Sequence, residues 1–168
     1  MTGSILDSPI STAWLPRNFG ARHTADKSRI VLTPQSTGKF LAHLKVLVVD
    51  DERLIRWSLR QGFTQRGHHV VEAGDAASAI DQLSVEPGQF SVVLLDYRLP
   101  DRQDLTLLRA IRTIAPAAAV FMMTAYGERE MRIEALALGA RAVIDKPFQV
   151  SDVVALVESQ PPDGHIPS

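Results

Sequence analysis

Carboxylates cluster at one point of this chain, and further polar groups follow later apolar runs. Asp50, Asp51 and Glu52 come directly after the mainly apolar run Lys45–Val49, and Asp96 ends another such run. A hydroxyl and an ammonium group end two later runs, at Thr124 and Lys146. Acidic, hydroxyl and cationic side chains gathered in one pocket would suit phosphoryl chemistry with a divalent cation.

The acidic residues suggest a metal, because clustered carboxylates repel one another unless a cation lies between them. Asp50, Asp51 and Asp96 would offer oxygen ligands, and Mg²⁺ is favoured because it keeps waters and phosphate oxygens as further ligands. A carboxylate beside Mg²⁺ can attack phosphorus and form an aspartyl phosphate. The Thr124 hydroxyl and the Lys146 ammonium would stabilise charge on the transferring group. The residue after Thr124 is Ala125, whose small side chain leaves the approach to the carboxylate open.

Each of these residues also has a structural interpretation when it is considered alone. Asp50, Asp51 or Glu52 could each cap the first helix or lie in its first turn. Asp96 could begin a turn, Thr124 could cap a later helix, and Lys146 could be a solvated surface charge. The combination favours a functional site, because these types fall at the ends of the first, third, fourth and fifth predicted strands.

Three other candidates are interpreted as structural. His68 and His69 lie at the start of a predicted strand and have no matching set of metal ligands. Trp57 is expected to pack on the first helix. We find no glycine-rich phosphate loop, no Ser–His–Asp set and no zinc-ligand spacing.

Five mainly apolar runs alternate with five segments of helical spacing between residues 45 and 158. The predicted strands are Lys45–Val49, His69–Glu72, Phe90–Leu95, Ala118–Met123 and Arg141–Ile144. The predicted helices are Arg53–Arg66, Ala76–Leu83, Leu105–Ile114, Glu128–Leu138 and Val150–Glu158. Gly67 and Gly139 are expected to end the helices that precede them.

Strict strand–helix alternation predicts an α/β fold with right-handed crossovers and a parallel sheet that helices cover on both faces. Five units suit an open, flavodoxin-like, doubly wound sheet of strand order 2-1-3-4-5 better than a closed barrel. Ligands of such sheets bind beyond the carboxyl ends of the strands, where the strand order reverses. That position lies between the first and third strands, which end in the aspartates.

The composition restricts the function classes. A formal net charge of −1 argues against a general nucleic-acid binder, and the absence of cysteine excludes disulfides and thiolate chemistry. The apolar stretch Ala117–Met123 is far shorter than the roughly 20 residues of a bilayer span. No secretory signal pattern is present, so we expect a cytoplasmic protein without a membrane partner.

The flanks differ in character from the central domain. We expect residues 1–44 to be a flexible extension, 45–158 the domain, and 159–168 a disordered tail. Within the extension, Ile30–Leu32 could form a short strand, and Trp14, Leu15 and Phe19 could form a docking segment. The tail after the last predicted helix, residues 159–168, is too short for an effector domain, so we expect none within this sequence.

The central domain resembles the response-regulator receiver domains of two-component signalling. The resemblance is carried by Val46–Glu52, Val92–Pro100, Met123–Ala125 and Asp145–Phe148, and it runs from about Lys45 to Glu158. The segments Arg53–Leu59 and Asp101–Leu108 look most like the receivers of bacterial enhancer-binding transcription activators.

The resemblance implies that Asp96 accepts a phosphoryl group from a histidine kinase or phosphotransfer protein. It implies that Asp51, Asp96 and the backbone carbonyl of Arg98 ligate Mg²⁺, with Asp50 acting largely through a metal-bound water. Thr124 and Lys146 would bind the phosphoryl oxygens, and the bond from Lys146 to the following proline would be cis. Such a domain signals through conformational change and is not an enzyme beyond self-phosphorylation and autodephosphorylation.

Two positions depart from the family pattern. Receivers usually carry Tyr or Phe three residues before the lysine, where this chain has Val143, so the usual aromatic relay cannot operate in its common form. The loop after the acceptor usually has Gly where this chain has Asp104, which tolerates turn conformations and adds charge near the site. Arg98 and Tyr126 flank the acceptor and could influence its hydrolysis.

The resemblance leaves several functions open. We expect a stand-alone receiver that binds a downstream protein, or a second copy, through its fourth helix and fifth strand, without direct DNA binding. The alternatives are a phosphorylation-independent interaction module and a receiver fragment of a transcriptional activator. A haloacid-dehalogenase-like phosphatase would need a general-acid Asp where this chain has Arg98.

Overall fold

The computed structural model describes residues 43–125 and 129–160, and the backbone of a short strand at Ile30–Leu32. The strands are β1 (Ile30–Leu32), β2 (Lys45–Val49), β3 (His69–Ala73), β4 (Val92–Asp96), β5 (Ala119–Thr124) and β6 (Ala140–Asp145). The helices are α1 (Arg53–Gln65), α2 (Ala76–Val85), α3 (Thr106–Ile114), α4 (Arg129–Ala137) and α5 (Val150–Ser159).

The sheet has the predicted topology. Its order is β1-β6-β5-β4-β2-β3, and every pair from β6 to β3 is parallel. Without β1, this is the order 2-1-3-4-5 that the strand–helix alternation predicts. The flavodoxin-like α/β fold is therefore confirmed, and the order reverses between β2 and β4, beside the aspartates.

Two apolar clusters lie on the two faces of the sheet, because alternate side chains of each strand point to opposite faces. Leu47, Val49 and Val143 belong to the cluster beneath α2, α3 and α4. Val46 and Val48 belong to the cluster beneath α1 and α5. The central strands β4 and β5 are buried at every position, as expected of a parallel sheet covered on both sides.

Helix α1 covers the sheet through only part of its apolar stripe. Leu59 and Phe63 are fully buried, whereas Leu54 is 73% exposed. Trp57, which was expected to pack on the first helix, lies on α1 and is 55% exposed, so it is not part of the buried core. Both residues lie in the first half of α1, which begins shortly after the carboxyl end of β2. Leu54 thus exposes apolar surface close to Lys146, and Trp57 exposes more along the helix.

The termini of the domain differ from the predicted boundaries. The backbone of β1 pairs antiparallel with β6, placing Val31 opposite Val143, so the sheet has a sixth strand. Helix α5 continues to Ser159 and Gln160 is buried, so the ordered domain includes the first residues of the predicted tail. The proposed docking segment at residues 14–19 lies outside the described residues. Within the part of the chain described, no helix is long and apolar enough to cross a membrane.

Candidate functional site

The predicted site residues meet at the carboxyl edge of the sheet. Asp50 follows β2, Asp96 ends β4 and Thr124 ends β5, and all three side chains are buried. Lys146 follows β6, and its backbone N–H donates a 2.8 Å hydrogen bond to the Thr124 carbonyl. The parallel register thus gathers four strand ends that are far apart in sequence.

Lys146 lies among three carboxylates. Its Nζ is 3.0 Å from Oδ2 of Asp96, 2.8 Å from Oδ2 of Asp50 and 3.5 Å from Oε1 of Glu52. Only 10% of the lysine side chain is exposed, and Asp50 is fully buried. Such shielded charges interact more strongly than surface ion pairs, because little water screens them.

Burial changes the proton affinity of these groups. Desolvation raises the pKa of Asp50 and of Asp96 above the ordinary aspartate value, even though Lys146 opposes the shift in both cases. Desolvation also disfavours the charged form of Lys146, but hydrogen bonds and charges from Asp50 and Asp96 outweigh it and raise the lysine pKa. One ammonium group therefore compensates two buried carboxylates only in part, and a second cation would stabilise them further.

Three carboxylates are arranged to hold such a cation. One oxygen from each of Asp50, Asp51 and Asp96 lies within 4.8 Å of the others. Asp51 is exposed while the other two are buried, so the cluster opens to solvent on one side. Hard oxygen donors with an open side fit Mg²⁺, which retains waters and phosphate oxygens as ligands.

Arg56 supports the acidic loop and was not anticipated from the sequence. From the first turn of α1, its Nη1 donates to the backbone carbonyl of Asp50 at 2.6 Å and to that of Asp51 at 3.0 Å. Its Nε lies 3.5 Å from a carboxylate oxygen of Glu72 on β3. Asp50 is fixed further by its Oδ1, which accepts from the Glu52 backbone N–H at 2.8 Å. A contact between a side chain and backbone carbonyls cannot be recognised from residue types in a single sequence, because every residue has a carbonyl.

The loop after Asp96 is held by its own acidic side chains. Oδ1 of Asp104 accepts from the backbone N–H and the hydroxyl of Thr106, and these bonds lower the Asp104 pKa. The carboxylate of Asp101 accepts from the backbone N–H groups of Ala76 and Ala77 at the start of α2. Asp104 therefore satisfies the first turn of α3, as expected of a residue that tolerates turns.

The remaining predicted residues are placed as follows. The backbone N–H of Arg98 donates to the Asp96 carboxylate, which partly opposes the rise in the Asp96 pKa caused by burial. Ala125 is exposed beside the site, and the Lys146–Pro147 peptide bond is cis as predicted. Tyr126 lies outside the described residues. The Arg98 carbonyl as a metal ligand, and the Thr124 hydroxyl as a phosphoryl ligand, stay predictions.

Comparison with known proteins agrees with this geometry. Residues 46–158 match the Response regulator receiver domain family. The chain belongs to this family. It is 33% identical over 109 residues to sporulation initiation phosphotransferase F of Bacillus subtilis, covering 65% of this chain and 86% of that protein.

Other relatives of the receiver domain are parts of larger proteins. The DNA-binding transcriptional regulator NtrC of Proteus hauseri is 34% identical over 113 residues, which cover 67% of this chain and 24% of NtrC. This agrees with the predicted likeness to activator receivers, although the chain spans only about a quarter of that regulator.

A solved structure extends the likeness to the fold. The CheX-CheY-BeF3-Mg+2 complex from Borrelia burgdorferi contains a chain that superposes with a TM-score of 0.63 at 28% identity. The superposition covers 67% of this chain and 84% of that one.

Proposed function

We propose that this receiver domain accepts a phosphoryl group on Asp96 in a Mg²⁺-dependent reaction and signals by a change in conformation. The observation that carries the proposal is the position of the Asp96 carboxylate. Its Oδ2 lies 3.0 Å from the Lys146 ammonium, and it is one of three carboxylates whose oxygens lie within 4.8 Å of one another. The site therefore offers a nucleophile with a resident cation on one side and space for a metal on the other.

The residues have distinct roles in the proposed transfer. An oxygen of Asp96 forms a bond to phosphorus as the P–N bond of a phosphohistidine breaks, and the bonding pair returns to the imidazole nitrogen. Lys146 stabilises the charge on the equatorial oxygens, and the Thr124 hydroxyl donates to one of them. Asp50, Asp51, Asp96 and the Arg98 carbonyl would hold Mg²⁺ when it is bound. The metal would neutralise negative charge on the phosphoryl group.

We propose that the phosphodonor is a histidine kinase or a phosphotransfer protein, which docks beside α1. A groove of about 580 Å³ opens next to Lys146 and is lined by Leu54, Ile55, Phe148 and Val150. The exposed Trp57 extends the apolar surface along α1. An apolar surface of this kind beside a nucleophile suits a helical protein donor better than a small soluble one.

The downstream part of the proposal follows the family pattern. The domain acts as a cytoplasmic receiver that presents α4 and β6 to a downstream protein or to a second copy, without itself binding DNA. Phosphorylation adds up to about two negative charges beside Lys146, enough to bias a two-state element. Its chemistry is limited to self-phosphorylation and autodephosphorylation.

One observation favours a second function, a phosphorylation-independent interaction module. Val143 is fully buried at the position where receivers usually carry an aromatic ring. A module of this kind would bind its partner equally well with Asp96→Asn. The phosphoacceptor function is preferred because Lys146 contacts Asp50 and Asp96, and Asp51 lies close to both carboxylates.

Intact-mass analysis tests the proposed function. Wild type, Asp96→Asn and the matched control Asp81→Asn on α2 are incubated with acetyl phosphate, with Mg²⁺ or with EDTA. We expect one phosphoryl group on wild type and on Asp81→Asn with Mg²⁺ only, and none on Asp96→Asn. Equal gain in Asp96→Asn, or gain in EDTA, would contradict the proposal.

A further inference from the structure

An ion pair joins α4 to the strand that leads into the phosphoacceptor site. Arg132 on α4 binds Oδ1 of Asp145 through its Nη2, at the last residue of β6. The side chains are 17% and 23% exposed, so the pair is largely shielded from water. Removing one partner of a shielded pair leaves an uncompensated charge, so its loss has a larger effect than the loss of a surface pair.

Asp145, which supplies the carboxylate of this pair, is next to two residues of the site. Asp145 is bonded directly to Lys146, which contacts Asp96. Asp145 also lies opposite Thr124 in the parallel register of β5 and β6. A backbone shift of Lys146 or Thr124 toward a phosphoryl group would therefore reach Asp145.

The side chain that would usually relay such a movement is missing. Val143 is fully buried in the same apolar cluster as Ala135 of α4, and it has no ring that could change position. Val143 and Asp145 are two residues apart on one strand, so both face α4. Among the described residues, a polar contact from this face to α4 is made by Asp145, the last residue of the strand and the neighbour of Lys146.

We propose that the Arg132–Asp145 ion pair transmits the phosphorylation state of Asp96 to α4, in place of an aromatic relay. This inference rests on the proposed phosphoacceptor function. Phosphorylation draws Lys146 and Thr124 toward the new oxygens, Asp145 follows, and Arg132 carries the shift to α4. Arg132 is thus a positioning residue that acts through Asp145 and has no contact with the reacting atoms in this mechanism.

Hydrogen–deuterium exchange of α4 amides tests the role of the pair, because amide exchange reports the local opening of a helix. Full-length wild type, Arg132→Gln and Arg132→Lys are compared with and without acetyl phosphate and Mg²⁺. Arg109→Gln is the matched control, since Arg109 also pairs with α4, at Glu134, but both partners are 57% exposed and the pair lies on the outer side. Intact mass gives the phosphoryl occupancy of every sample.

We expect phosphorylation to change α4 exchange in wild type, in Arg109→Gln and, through the retained charge, in Arg132→Lys. In Arg132→Gln the change should fall at least about threefold at equal occupancy, as expected from the loss of a partly buried ion pair. The inference would be overturned if phosphorylation changed α4 exchange in Arg132→Gln as much as in wild type, or if it did not change α4 exchange in phosphorylated wild type. Either result would leave the phosphoacceptor function standing. Absence of phosphorylation in wild type would overturn both.

Discussion

The acidic edge around Asp50 and Asp96 and the α4 side of β6 adjoin at Lys146, yet they are built by different means. At the acidic edge, Lys146 pairs with three carboxylates, and the backbone carbonyls of Asp50 and Asp51 are held by Arg56. On the α4 side, the strand presents the apolar side chain of Val143 and, at its end, the ion pair of Asp145 with Arg132. The first region thus holds its charges in a polar network, whereas the second joins a strand to a helix through apolar packing and an ion pair.

Replacing the shared lysine should give the largest effect. Lys146→Met removes the only cation that contacts both Asp50 and Asp96 among the described residues, and we expect phosphorylation by acetyl phosphate to slow about 100-fold. Time-resolved intact mass measures the rate. Lys45→Met is a control, because Lys45 pairs with Glu86 away from the site. A rate within about twofold of wild type would contradict the role of Lys146 in charge stabilisation.

Shortening the side chain of the buried Val143 should lower the stability of the domain without changing its phosphorylation rate. Val143→Ala should lower the free energy of unfolding by about 2 kcal/mol, because it removes two fully buried methyl groups. Urea denaturation measures this loss, and the acetyl phosphate rate should stay unchanged. If the phosphorylation rate fell as well, the two regions would be less independent than the contacts indicate.

Removing the support behind the acidic loop should weaken metal binding. Arg56→Gln loses the charge that holds the carbonyls of Asp50 and Asp51, and we expect Mg²⁺ affinity to fall about tenfold, as for residues that orient metal ligands. Isothermal titration with Mg²⁺ measures the affinity. Arg60→Gln, one turn later on α1, is the matched control because Arg60 pairs only with Glu72 among the described residues. Equal affinity in the two variants would show that Arg56 is merely structural.

The smallest expected effect is on the pH dependence of stability. Burial raises the pKa of Asp96, so the metal-free folded protein binds this proton more readily than the unfolded chain does. The stability of wild type relative to Asp96→Asn should therefore fall as pH rises from about 4, near the ordinary aspartate pKa, through the raised value. Urea denaturation in EDTA across this range measures the difference. Saturating Mg²⁺ should reverse the trend, and an identical slope in EDTA and in Mg²⁺ would contradict metal binding at Asp96.

Much of the fold could be predicted because buried parallel strands leave a clear pattern. The runs that became β2 and β4 are mainly apolar, and an aspartate follows the first and ends the second. The position of these aspartates at one sheet edge follows from the alternation of strands and helices. The pairing of β1 with β6 could not be predicted in the same way. It joins segments more than 100 residues apart, and three apolar residues do not specify a partner strand.

The charged residues of the site could be predicted from the sequence, but the contacts that hold them in place could not. Asp50, Asp96 and Lys146 stand at strand ends and are conspicuous as charges after apolar runs. The contacts of Arg56 with carbonyl oxygens and the exposure of Trp57 depend on the path of the loop and the tilt of α1. A helical period shows which residues share a stripe, but packing decides how much of that stripe is covered.

The most direct test of the account locates the phosphoryl group among the three clustered aspartates. Wild type is treated with acetyl phosphate and Mg²⁺ and then reduced with borohydride, which converts an aspartyl phosphate into homoserine. Peptide sequencing by tandem mass spectrometry then identifies the converted residue. The account predicts homoserine at position 96 and unmodified Asp50 and Asp51. Homoserine at position 50 or 51, or at none of the three in a phosphorylated sample, would contradict it.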